Sequence, residues 1–99
     1  MNIKPGVEFN GVGKPLLEAV WKIYDVMNAT GDYTITSCTD GKHGANSLNY
    51  QGLAIDLCTR HMTPVAVQEC AVSLRAVLGK DYDVVVEGDH IHLEYDPKR

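Results

Sequence analysis

A chain of 99 residues with 44% apolar side chains is long enough for one domain with a modest hydrophobic core and too short for two. Its formal net charge is −4, and no cluster of Lys and Arg is longer than two residues, which argues against binding along a nucleic-acid backbone. We therefore expect a single domain over residues 1–99 whose partners do not include nucleic acid.

The N-terminal stretch MNIKPGVEFNGVG lacks the charged and then apolar pattern of a secretory signal, and no run of about 18 apolar residues occurs. We expect synthesis in the cytoplasm as a soluble protein without a membrane partner. The three cysteines, Cys38, Cys58 and Cys70, are odd in number and lack C-x-x-C spacing. The sequence therefore predicts reduced thiols rather than disulfides or a cysteine zinc site.

The first predicted element is an amphipathic helix in KPLLEAVWKIYDVMNATG. Pro15 suits its first turn, and Gly31 lies beyond its end. The apolar residues at helical spacing, which we assign to the core, are Leu16, Leu17, Val20, Trp21, Tyr24 and Met27.

Two short segments with strand character follow, separated by a long loop. DYTITS is rich in β-branched and aromatic residues, whereas CTDGKHGANSLNYQG has neither helical nor strand periodicity. Loops of this length in small domains are usually functional or disordered. In LAIDLCT, Leu53, Ile55 and Leu57 alternate with smaller or polar residues, which places Asp56 on the opposite face of the strand.

A second helix and a hairpin complete the chain. TPVAVQECAVSLRAVLGK has Thr63 as its N-cap, Pro64 at the first helical position and Gly79 at the end. YDVVVEGDHIHLEY predicts two strands around Gly88 and Asp89. The order of elements predicts an α+β domain with two main helices on one face of a mostly antiparallel sheet.

The last strand carries the residues with the most distinctive chemistry. A period of two puts His90, His92 and Glu94 on one face and apolar residues on the other. Asp56 has the same position on its own strand, so we expect Asp56 and His92 to lie close enough to share an ion. A catalytic zinc ion takes three protein ligands and keeps an open position, with a nearby carboxylate as proton acceptor.

The hairpin sequence offers two alignments in which a carboxylate precedes a histidine by three residues. Asp89 precedes His92 by three residues, and Glu87 has the same spacing to His90. We favour Asp89 as the base with His92 as the ligand. The frame shifted by two residues, with Glu87 as base and His90 as ligand, is the alternative.

The motifs TSCTDGKHGANSLNYQGLAIDL and VVVEGDHIHLEYDP resemble the zinc D-alanyl-D-alanine carboxypeptidase and L-alanyl-D-glutamate endopeptidase family, especially its small phage-type members. That family shares the Hedgehog/DD-peptidase fold, and the similarity covers nearly the whole chain. Its motif is Ser-x-His-x-x-Gly-x-Ala-x-Asp, followed later by an acidic residue, two spacers and a histidine. The matching residues are Ser47, Gly52, Ala54, Asp56, Asp89 and His92. The resemblance implies zinc held by the motif's first histidine position, Asp56 and His92, with Asp89 as general base.

The chain departs from the motif at one ligand, because Asn49 occupies the position of the first histidine. An amide oxygen suits calcium or magnesium, whereas imidazole suits zinc, so the change weakens the expected zinc site. Three interpretations remain open: His43 replaces the missing ligand, Asn49 binds the metal weakly, or the site is disabled, by natural drift or by deliberate replacement.

The resemblance implies hydrolysis of peptidoglycan stem peptides, by carboxypeptidase or endopeptidase action. Ser47 is a candidate substrate contact, and Lys42 and Arg60 are candidates for pairing with the carboxylate that ends a stem peptide. We expect a phage endolysin or virion-associated enzyme that reaches the cell wall on host lysis or as part of a particle. The alternative is a non-catalytic binding protein that keeps the peptidase fold.

Overall fold

The computed structural model describes residues 1–7, 9, 13–29, 33–37 and 54–97. In this part of the chain the elements are β1 (Asn2–Ile3), α1 (Lys14–Asn28), β2 (Thr34–Ser37), β3 (Ala54–Cys58), α2 (Pro64–Leu78), β4 (Tyr82–Val86) and β5 (His90–Tyr95). They form one α+β domain with two helices and a mostly antiparallel sheet, as the sequence predicts. The fifth strand, β1, is an addition that the sequence analysis did not predict. Neither described helix is long and apolar enough to cross a membrane.

The strands lie in the order β1-β2-β3-β5-β4. Only the pairing of β1 with β2 is parallel, and the other three described pairings are antiparallel. The β4–β5 connection is the predicted hairpin: the backbone N–H of Glu87 donates to the carbonyl of His90 at 2.9 Å, with Gly88 and Asp89 between them. β5 therefore lies inside the sheet, between β3 and the edge strand β4.

One face of the sheet forms the core together with both helices. Ile55 and Leu57 of β3 and Ile91 and Leu93 of β5 are at most 1% exposed. The helical residues buried in the same cluster are Leu16, Ala19, Ile23 and Met27 from α1, and Val67, Cys70, Ala71, Leu74 and Leu78 from α2. The alternate residues of the strands consequently point to the other face.

The ends of α2 lie where the sequence predicts them. The Thr63 side chain accepts a hydrogen bond from the backbone N–H of Ala66 at 3.2 Å, and Pro64 is the first helical residue. Gly79 ends the helix with a φ of 84°, a conformation that side chains with a Cβ atom rarely adopt. The cap, the proline and the glycine thus fix both boundaries locally.

The predicted core face of α1 is partly wrong. Trp21 is 76% exposed, and Leu17 and Tyr24 are also exposed. Successive helical residues are about 100° apart, so a helix that packs on one side cannot bury two neighbouring apolar stripes equally. The buried stripe passes through Ala19 and Ile23 instead. α1 ends at Asn28, and the expected stop at Gly31 lies outside the described residues.

Candidate metal centre

Asp56 and His92 are direct partners across the β3–β5 pairing. The His92 Nδ1–H donates to Asp56 Oδ1 at 2.7 Å, and the two side chains are only 24% and 15% exposed. The expected proximity of these two side chains is confirmed. Strand alternation explains the arrangement, because the neighbours of both residues point into the core.

The electrostatics of this pair favour a charged imidazole. The hydrogen bond to Asp56, reinforced by the charge of that carboxylate, raises the pKa of His92 above its ordinary value, while burial opposes the rise. A cation is thus stabilised at this point of the sheet face. A metal ion that binds both side chains would replace the shared proton.

A second set of polar contacts lies beside the first. His90 Nδ1 and Asp89 Oδ1 are 2.7 Å apart, and Arg60 donates from Nη2 to Asp89 Oδ2 at 2.8 Å. These hydrogen bonds, from His90 first and Arg60 second, lower the pKa of Asp89 to about 2. Both carboxylate oxygens of the expected general base are therefore already engaged.

His90 connects the two sets, since its Nε2 lies 3.9 Å from Asp56 Oδ1. On the same face, Cys58 is the cross-strand partner of His90 and carries a free thiol. An open cavity of about 340 Å³ adjoins these groups, and its lining residues are Lys4, Thr36, Asp56, Cys58, Arg60, Asp89 and His90. The cavity has room for a peptide side chain or terminus and places both signs of charge around it.

The structure brings together five of the expected site residues: Asp56, Arg60, Asp89, His90 and His92. Glu87, the alternative base, is exposed in the hairpin loop, and its charge makes a minor contribution to the raised pKa of His92. The remaining expected residues, Lys42, His43, Ser47 and Asn49, lie outside the described residues.

Two residues that line the cavity were missed by sequence reasoning. Thr36 could have been found, because alternation in TITS puts it opposite the buried Ile35. Lys4 carries no such signal. It reaches the site because the backbone N–H of Lys4 donates to the carbonyl of Ile35 at 3.0 Å, which extends the parallel β1–β2 pairing.

The donor atoms of Asp56 and His92 fit a shared zinc ion. Two atoms that each bind zinc at about 2.0–2.1 Å in a tetrahedral site lie roughly 3.3 Å apart, so the two hydrogen-bonded atoms, now at 2.7 Å, would have to separate slightly to admit the ion. Within the described ranges, no three or more His, Cys, Asp or Glu side chains are already grouped as a metal site. Asp56 and His92 are thus two candidate ligands, and a candidate for the third position has to be identified.

Comparison of this chain with protein families, with curated proteins and with solved structures found no match. The resemblance to the zinc peptidases consequently rests on the motifs of this sequence alone.

Proposed function

We propose that this protein is a zinc-dependent hydrolase of peptidoglycan stem peptides. The observation that carries the proposal is the contact between Asp56 and His92, because the peptidase motif assigns zinc to these two positions. The two residues are 36 positions apart in the chain. The neighbouring cavity, lined by Arg60 and Lys4 among others, supports a peptide substrate that ends in a carboxylate.

In this proposal Asp56 and His92 hold the metal, and the motif assigns a further ligand to position 49. Zinc, when bound, supplies Lewis-acid polarisation of the scissile carbonyl and of the attacking water. Asp89 accepts the proton of that water, while Arg60, Lys42 and Ser47 orient the peptide. Asp89 is ionised at neutral pH but is a weak proton acceptor while its pKa is about 2. Substrate binding therefore has to loosen at least one of its two present contacts.

The metal itself is the first test. Protein purified without added zinc and then titrated with zinc should bind about one ion per chain, and purified cell walls should then release peptide fragments. Asp56→Ala and His92→Ala should abolish zinc binding, because each removes a donor atom. His61→Ala is the matched control, since His61 is exposed and does not line the cavity. Absence of zinc binding by the original chain would refute the proposal.

The proton acceptor is tested separately, at saturating zinc. Asp89→Asn should abolish release of fragments, because an amide cannot take a proton from water. Glu87→Gln should retain it. The opposite result would identify Glu87 as the base. Equal loss of fragment release in both variants would show that neither residue acts alone.

A non-catalytic binding protein is the second candidate. It is favoured by the engagement of both Asp89 oxygens and by the asparagine at position 49. In that case stem peptides should bind to the chain and remain intact after prolonged incubation with zinc. In both candidate functions the protein comes from a phage and reaches the cell wall by host lysis or in a phage particle.

A further inference from the structure

Two imidazole rings approach the same carboxylate oxygen. Asp56 Oδ1 lies 2.7 Å from Nδ1 of His92 and 3.9 Å from Nε2 of His90. Both histidines belong to β5, two positions apart, so the strand itself places them on one face. The favoured frame of the peptidase motif uses only His92 of this pair as a ligand, and the shifted frame uses only His90.

The other nitrogen of His90 is already committed. An ionised carboxylate only accepts hydrogen bonds, so the 2.7 Å contact with Asp89 Oδ1 places the hydrogen on Nδ1 of His90. In the neutral ring Nε2 then keeps its lone pair, and this is the atom nearest Asp56. Arg60 holds the second oxygen of Asp89 at 2.8 Å. A carboxylate behind a histidine is the arrangement that orients metal-binding imidazoles in proteins.

We propose that Nε2 of His90 is the third protein ligand of the zinc site, together with Asp56 and His92, and that Asp89 positions His90 through its Nδ1. This inference rests on the proposed function. Two imidazoles and one carboxylate are a donor set found in catalytic zinc sites, which leaves a fourth position open. Asp56 and His90 both line the cavity, so that position is accessible from it.

The separation between Asp56 and His90 has to change only a little. The distance between Asp56 Oδ1 and His90 Nε2 must shorten from 3.9 Å to roughly 3.3 Å, the separation of two ligands of a tetrahedral zinc ion. The His90 side chain is 31% exposed, so its rotation is not blocked by the core. A third ligand on β5 also accounts for a chain that carries the peptidase motif with an asparagine in place of its first histidine.

The test compares zinc affinity in the full chain with that of His90→Gln and of His61→Gln, a matched histidine control. His90→Gln should weaken zinc binding by more than the 10- to 100-fold typical of groups behind a ligand, and His61→Gln should leave it unchanged. Circular dichroism of the metal-free variants checks that they are folded. Undiminished affinity in folded His90→Gln overturns this inference alone, whereas no zinc binding by the original chain overturns the proposed function as well.

Cobalt substitution supplies a readout of the ligand set itself. The visible absorption of the cobalt protein should change in His90→Gln, because a donor nitrogen is lost. Asp89→Asn should lower zinc affinity by about 10-fold, and Asp89→Glu should recover part of it. An intense thiolate-to-cobalt band that disappears in Cys58→Ser would instead identify Cys58 as the third ligand and overturn the assignment of His90.

Discussion

Two tyrosine hydroxyls, that of the buried Tyr33 and that of the partly buried Tyr82, differ in their surroundings. Tyr33 is 1% exposed, and its hydroxyl has no hydrogen-bond partner among the described residues. The Tyr82 hydroxyl donates to the carbonyl of Pro15 at 2.9 Å and so connects β4 to the start of α1. Burial raises the pKa of both phenols, which stay neutral over the physiological range.

The same substitution at the two positions should therefore have opposite effects on stability. Tyr33→Phe should leave the free energy of unfolding unchanged or raise it by about 1 kcal/mol, because it removes a desolvated hydroxyl. Tyr82→Phe should lower it by about 1 kcal/mol through the lost hydrogen bond. Urea unfolding of both variants measures the difference. A clear loss of stability in Tyr33→Phe would mean that the hydroxyl has a partner outside the described residues.

At the level of single residues, the sequence predicts which face of a strand a side chain occupies better than it predicts which hydrogen bonds that side chain makes. The proximity of Asp56 and His92 follows from a strand period of two and one correct pairing of strands. The engagement of Asp89 does not follow from any spacing, because Arg60 lies in the turn after β3, 29 positions away. The contact between Arg60 and Asp89 forms only when the assembled sheet brings the turn after β3 next to the β4–β5 turn.

Among the elements, α1 provides the sharpest contrast between apolar residues that are buried and apolar residues that are not. Ile23 is 2% exposed and packs in the core, whereas Trp21, two positions earlier, is mostly in solvent. Trp21→Ala should change the free energy of unfolding by no more than about 0.5 kcal/mol. Ile23→Ala should cost about 2–5 kcal/mol. Thermal or urea unfolding tests both, and a large loss in Trp21→Ala would show that the tryptophan packs against residues outside the described ranges.

The two helices also show why some elements are predictable in full and others only in outline. The boundaries of α2 depend on Thr63, Pro64 and Gly79, which act within one turn and can be recognised in the sequence. The buried face of α1 depends on which of two apolar stripes meets the sheet, and that contact is made by residues distant in the chain. The parallel β1–β2 pairing is likewise non-local, so the position of Lys4 could not be foreseen.

For the molecule as a whole, the residues that form the core and the residues of the candidate site lie on opposite faces of the sheet. Its helix-covered face holds the buried apolar cluster, while the opposite face of β3 and β5 carries Asp56, Cys58, His90 and His92. Substitutions on the polar face should therefore leave the core intact, and the proposed zinc ligands should be exchangeable without unfolding the domain. Position 49 is the place where such an exchange should increase function.

Asn49→His should raise zinc affinity and increase the release of peptide fragments from cell walls, because it restores the imidazole that the peptidase motif places seven residues before Asp56. A neutral amide does not match imidazole as a zinc donor. If His90 supplies the third ligand of the original chain, the new histidine should also restore zinc binding to the His90→Gln variant.

Zinc titration and fragment release should be measured in parallel for the original chain, Asn49→His, and Asn49→His combined with His90→Gln. A gain of zinc affinity in the single variant, together with recovery of zinc binding in the double variant, means that one site accepts a third imidazole from either position 49 or position 90. His43→Ala is the control for the remaining alternative, since only removal of a ligand releases zinc from the original protein. If folded Asn49→His gains neither zinc affinity nor activity, position 49 does not face the Asp56–His92 pair, and the resemblance to the zinc peptidases fails at the residue that should define it.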